Sequence, residues 1–174
     1  VQGDQYAALY SETVTVQLEN DFLPFLYPNQ YVNFTPDSKA SQLALSMIDE
    51  DTVDVDALQQ IYDYVVSNLT YDYEKADTVT TGYLPDVDET LKTGTGICFD
   101  YAALTTAMLR SCDIPCKLQI GYAGDIKHAW IDVYIRSKGW VNQAVSFKGD
   151  TWTLMDPTFD SNSDDKEAIQ DYIG

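Results

Sequence analysis

The chain has 174 residues, with 28 acidic and 10 basic side chains, a formal net charge of −18 and a hydrophobic fraction of 45%. That length suits one domain with a sizeable core, and the apolar fraction argues for a folded globule. Charge of this sign repels phosphate backbones and no Lys/Arg-rich stripe offsets it, so nucleic-acid binding is excluded, and no apolar run is long enough to span a bilayer.

Residues 1–36 read as an extension that packs on the core. "ETVTVQLEN" alternates Val14, Val16 and Leu18 like a strand, and Pro24, Pro28 and Pro36 then interrupt an aromatic segment. Asp37, after Pro36, is placed to cap a helix whose inner face is Ala40, Leu43, Ala44, Met47 and Ile48. The strongest periodic signal is a second helix carrying Leu58, Ile61, Tyr62, Val65, Val66 and Leu69, with Asp54 or Asp56 near its N-terminus. "TYDYEKADTVTTGYLPDVDETLKTGTG" then reads as a long connection punctuated by Gly and Pro.

The stretch "GTGICFDYAALTTAMLR" sets one cysteine, Cys98, between a glycine-rich approach and a helix with Ala102, Leu104, Ala107 and Met108 on a rough stripe. The helix stops before "CDIP", because Pro115 forbids continuation. Period-two patterns follow in "CKLQIGYA" and "HAWIDVYI", where Ala129, Ile131, Val133 and Ile135 alternate with His128, Trp130, Asp132 and Tyr134. "SKG" makes a turn, a strand runs from Trp140 to Phe147, and "KGD" turns into "TWTLMD"; the acidic tail reads as a loop and a short helix. Helices followed by consecutive antiparallel strands, with no βαβ repeat, define an α+β class.

A thiol in the first turn of a helix faces N–H groups without intrahelical partners and the positive end of the dipole, and both favour thiolate. The only histidine, His128, opens a strand, where an imidazole can take the thiol proton and return it to a leaving group. Its second nitrogen needs an orienting acceptor. Asp156, at the end of "TWTLMDPTF" and before Pro157, is the best candidate, with Asp132 beyond His128 on the same strand face as its rival. Each residue alone has an ordinary reading: a buried packing cysteine, a solvated histidine, an Asp-Pro turn.

"GTGICFDYAALTTAMLRSCDIPCKLQIGY", "KHAWIDVYI" and "WTLMDPTFD", in that order, resemble the transglutaminase-like superfamily of papain-like cysteine enzymes over about residues 57–160. The resemblance implies one domain over 1–174 in which the nucleophile helix packs on an antiparallel sheet. It also implies Cys98 as nucleophile, His128 as base and Asp156 as orienter. "SCDIP" departs from the family's Gly before Ile-Pro, a change in a turn rather than in the triad.

The chemistry implied is acyl transfer through a thioester on a peptide or protein substrate, resolved by water or by an amine, with hydrolysis slightly preferred. Helix-mouth N–H groups are natural oxyanion donors, and Tyr71, Tyr73 and Tyr83 are available as side-chain donors. Trp130 and Tyr83 are taken as substrate-binding residues, Trp130 having plain packing as its equal alternative. The competing class is a non-catalytic relative that binds peptides or wall polymers in the same cleft. An intact Cys, His and Asp set counts against it.

No cofactor or metal is expected. Zinc lacks a C-x-x-C pair or a second histidine, and "DSNSDDKEAIQD" breaks the calcium-loop pattern where Asp165 replaces Gly and Asp171 stands for Glu. Cys112 and Cys116 read as structural, packed or bridged. The chain is expected to act as a monomer. Val1 in place of Met fits either a trimmed chain or a mature form, and the family's common settings point to an exported or envelope-associated bacterial protein.

Overall fold

A computed structural model describes residues 10–17, 19–123, 126–148 and 151–154; at 122–123, 126–128, 147–148 and 151–152 the description is of the backbone and its pairing. Among the described residues a short 3-10 helix, Leu23–Phe25, and five α-helices precede a four-stranded sheet: α1 Lys39–Met47, α2 Asp54–Asn68, α3 Tyr73–Thr78, α4 Val87–Thr93 and α5 Cys98–Ser111, then β3 Cys116–Ala123, β4 Ile126–Ile135, β5 Gly139–Lys148 and β6 Thr151–Leu154. Two short strands, β1 Thr70–Tyr71 and β2 Thr95–Gly96, pair in parallel. The sheet is an antiparallel meander in the order β3-β4-β5-β6. The α+β expectation, with the cysteine helix against an antiparallel sheet, is what the structure shows.

Helix α5 is the centre. It packs on α1, α2 and α4 and on strands β3, β4 and β5, and all of it from Asp100 to Arg110 is buried. A helix covered on every side has no polar face, which explains why its apolar stripe is only roughly periodic in sequence. Small residues such as Ala102, Ala103 and Ala107 let neighbours approach, while Tyr101, Leu104, Met108 and Leu109 fill the space at 0% exposure. Burying each such large side chain contributes about 1.5–3 kcal/mol. The sheet meets this helix with Ala129, Ile131, Val133 and Ile135, all buried as their alternation predicts.

The inner faces of α1 and α2 are also as read: Ala40, Ala44, Leu58, Ile61 and Val65 are fully buried. The cap of α1 is not. Its N-cap position is Ser38, and the N–H groups of Lys39 and Ala40 donate to Asp88 of α4 at 3.1 and 3.0 Å, leaving Asp37 exposed. A carboxylate far along the chain thus does what a local residue was expected to do.

Two further expectations need correction. Residues 10–17 form no strand, and Val14 and Val16 are 68% and 70% exposed; alternation makes a face, but a strand also needs a ladder partner. The connection over 70–96 is built of β1, α3, α4 and β2 rather than loop. Asp72 and Asp86 cap α3 and α4, and Gly94 ends α4 at φ +63°.

Residues 22–34 lie against this core. Phe22 packs on Tyr134 at 4.5 Å and Phe25 edge-on to Trp140 at 5.2 Å, the Lys117 ammonium sits 3.6 Å from the Trp140 ring centroid, and Val32 and Phe34 are buried.

Candidate active site

Cys98 is the first residue of α5, after Ile97 in extended conformation, and is 4% exposed. The turn that presents it is tied on both sides. Thr70 donates to the Gly94 carbonyl at 2.8 Å and Asp72 to the Gly96 carbonyl at 2.9 Å, so the β1/β2 pair holds the start of α3 beside the mouth of α5. At Gly96 a Cβ would lie 2.7 Å from the Asp100 Cβ. Only glycine lets the chain pass that close.

Asp100, two residues after Cys98, is 0% exposed. Its carboxylate accepts the Ile97 N–H at 2.8 Å, the Lys75 ammonium at 2.7 Å and the Tyr83 hydroxyl at 2.5 Å. The first bond is the returning half of a capping box, which fixes the residue immediately before Cys98. Lys75 is set by its own helix, since Asp72 caps α3 by accepting the Lys75 N–H at 2.8 Å.

The Lys75 ammonium also lies 4.6 Å from the Tyr83 ring centroid. Burial opposes its charge, but the bonds to Asp100 and Tyr83 outweigh that and raise its pKa. Burial, reinforced by Asp100, pushes the Tyr83 phenol up to about 12, so it stays protonated. The Tyr83 ring stands edge-on to Phe99 at 6.2 Å, and Tyr31 approaches Phe99 at the same separation. An aromatic collar therefore borders the thiol turn.

The other two cysteines differ in kind. Burial, with Asp113 adding to it, pushes Cys112 up to about 11, and full burial pushes Cys116 up to about 12. Neither pairs with the other: all three cysteines are thiols.

Of the remaining residues expected at the site, His128 belongs to β4, where its backbone pairs with Gly121 and Lys148; its side chain lies outside the described residues, as does all of Asp156. β4 packs on α5, the helix that begins at Cys98. Trp130 is half-buried, and its ring leans over Gly121, where a Cβ would meet it at 3.2 Å.

Asp132, the alternative orienter, has both oxygens engaged elsewhere. It accepts from the Gln119 amide at 2.6 Å and the Gln143 N–H at 2.8 Å, where Gln143 takes φ +51° beside a register shift in the β4/β5 pairing. The acidic stretch 160–171 lies outside the described residues. No cluster of metal-ligating side chains occurs among the described residues.

Sequence reasoning missed Asp100 and Lys75. An acid at the third helical position was a visible capping signal, but nothing in the sequence paired it with a lysine 25 residues upstream.

The profile of the transglutaminase-like superfamily matches residues 41–157, starting in α1 and running beyond β6. The chain belongs to the transglutaminase-like superfamily. Its match starts one helix earlier than the stretch legible by motif. The fold is similar to the crystal structure of a candidate cysteine protease from Cytophaga hutchinsonii, with a TM-score of 0.56 and 24% identity over 78% of this chain and 48% of that one. A candidate protease from Parabacteroides distasonis aligns at TM-score 0.49 and 18% identity, over 70% of this chain and 29% of that one.

A UPF0252 protein of Methanocaldococcus jannaschii is 36% identical over 62 residues, 33% of this chain and 18% of that protein. The chain thus spans about half the length of the first structural relative and less than a third of the other two proteins. No helix among the described residues is long and apolar enough to cross a membrane.

Proposed function

We propose that the chain is a cysteine-dependent acyl-transfer enzyme acting on peptide or isopeptide amides, with Cys98 as nucleophile, His128 as general base and acid, and Asp156 orienting the imidazole. The observation that carries this reading is the contrast among the three thiols. Cys98 is buried too, but it alone stands at a helix N-terminus, where N–H groups without intrahelical partners and the dipole favour the thiolate; Cys112 and Cys116 lack that position, and burial drives them toward the unreactive protonated form.

In the proposed sequence the Cys98 thiolate attacks the carbonyl carbon. Helix-mouth N–H groups hold the resulting oxyanion, a contribution worth about 10²–10³ in rate per donor. The intermediate expels the amine, which takes its proton from His128, and leaves a thioester on Sγ. Water, deprotonated by His128, attacks the thioester and releases the acid; an amine in its place would give cross-linking. Hydrolysis is the preferred outcome. The Phe99, Tyr31 and Tyr83 collar supports a substrate side chain of apolar or aromatic character next to the reacting carbonyl, with Trp130 as a further substrate contact. An exported or cell-envelope setting is proposed with it.

The test is the rate of iodoacetamide alkylation of each cysteine against pH, read by mass spectrometry, in the wild type and in His128→Ala. Cys98 is expected to react fast well below the free-thiol pKa of about 8.5 and to slow in the variant. A Cys98 no more reactive than Cys112 would sink the proposal. Fluorogenic peptide amides with and without an added primary amine then separate hydrolysis from transfer.

A further inference from the structure

Asp100 presents an electrostatic problem to any nucleophile at position 98. A wholly buried carboxylate in the first turn of α5 secures the chain at Ile97, but its negative charge opposes the formation of a second anion close by. The structure answers with Lys75, whose ammonium is 2.7 Å from Asp100 and whose side chain is 29% exposed. The chain has 28 acidic residues to 10 basic ones, so a cation committed to a buried acid is not drawn from a surplus.

We propose, on the basis of the acyl-transfer reading above, that Lys75 is a positioning residue for Cys98: it neutralises the buried Asp100 carboxylate, so that Asp100 can pin the nucleophile turn without setting an uncompensated negative charge beside the thiol. Three observations converge on this role. Gly96 is shaped to admit Asp100, since a Cβ there would collide with it. Asp72 both caps the helix that carries Lys75 and donates its N–H to the Gly96 carbonyl, so cation and thiol turn are held as one unit. Tyr83 adds a neutral donor to the same carboxylate and places its ring beside the Lys75 ammonium.

Among the described side chains, the charged and titratable groups around the turn are Lys75 from α3, Tyr83 from the segment before α4, Asp100 of α5 itself, and the Tyr71 and Tyr101 phenols. Burial, with Tyr71 adding to it, pushes the Tyr101 phenol upward. The Tyr83 and Tyr101 phenols, both pushed upward, carry no charge near neutral pH, which leaves Lys75 as the cation that meets Asp100 among the described side chains.

The experiment is the pH profile of Cys98 alkylation by iodoacetamide, with circular dichroism on each variant to establish folding. In Lys75→Met the midpoint is expected to rise by about one pH unit, while Lys75→Arg keeps the wild-type profile. Adding Asp100→Asn to Lys75→Met is expected to bring the midpoint back, because the amide oxygen can still accept from Ile97 while the charge is gone.

A folded Lys75→Met with an unchanged profile, or a double variant that stays shifted, overturns the proposal. Should Lys75→Met fail to fold, Asp100→Asn alone decides: the now uncompensated ammonium should lower the midpoint, and a value at or above the wild type overturns the idea. A wild-type midpoint near the free-thiol value of about 8.5 would sink the acyl-transfer reading and this proposal together. A low wild-type midpoint indifferent to residue 75 would sink only the role of Lys75.

Discussion

The Arg110 guanidinium donates to the Tyr27 carbonyl at 2.6 Å, and through its other nitrogens to the Cys116 carbonyl at 2.7 and 3.1 Å. One side chain in the last turn of α5 thus fastens both the N-terminal segment and the first strand of the sheet. Arg110 is 4% exposed, so its loss would leave two carbonyls without these donors in a place water reaches poorly. Arg110→Met is expected to cost about 2–3 kcal/mol in urea denaturation, and to speed hydrogen exchange at Val32, whose segment Tyr27 anchors.

Two glycines separate steric need from backbone need. Gly96 has no room for a methyl group, whereas Gly139 has φ +85° and nothing within 4 Å of the point where a Cβ would stand. Gly96→Ala should therefore cost about 1–3 kcal/mol by overpacking and slow Cys98 alkylation by displacing Asp100. Gly139→Ala should cost about 1 kcal/mol from the left-handed backbone alone, with Cys98 unaffected. Paired melts and alkylation rates check both.

Asp54, at the start of α2, accepts from the Arg136 backbone N–H at 2.8 Å and from its guanidinium. The side-chain bond from Arg136 lowers the Asp54 pKa below its ordinary 3.8, burial opposing it. A depressed acid contributes stability above its unfolded pKa and loses it as pH falls through the folded value. Asp54→Asn is expected to lower stability by about 1 kcal/mol at neutral pH, Arg136 being largely exposed. The gap from wild type should close as the pH is taken from about 5 down through the acid range. Urea midpoints across that range test the sign.

The thiols of Cys112 and Cys116 are pushed up to about 11 and about 12. At pH about 8, Cys112 is expected to alkylate at least roughly tenfold more slowly than an unfolded reference thiol, and Cys116 to react only on a time scale set by unfolding. Quenched-flow labelling followed by mass spectrometry distinguishes the two. Equal rates at both positions would contradict the difference in burial between them.

Patterns that depend on near neighbours in the chain were legible from the residues alone. The helical periodicity in α2 and the alternation in β4 each announce one buried face, and Pro115 stops α5 after Ser111 because a proline cannot continue the ladder. Together with the three ordered motifs, these determined the α+β class, the helix that starts at Cys98, and the superfamily.

What the tertiary structure alone decided are relationships between residues far apart in the chain. Asp88 rather than Asp37 caps α1; Lys75 and Tyr83 converge on Asp100; Asp132 is occupied by Gln119 and Gln143; and Val14 and Val16 find no strand to pair with among the described residues. Periodicity records which side of an element is apolar. It carries no information about which distant donor meets a buried charge, because that partner is chosen by how the elements pack and by the cost of leaving the charge unpaired.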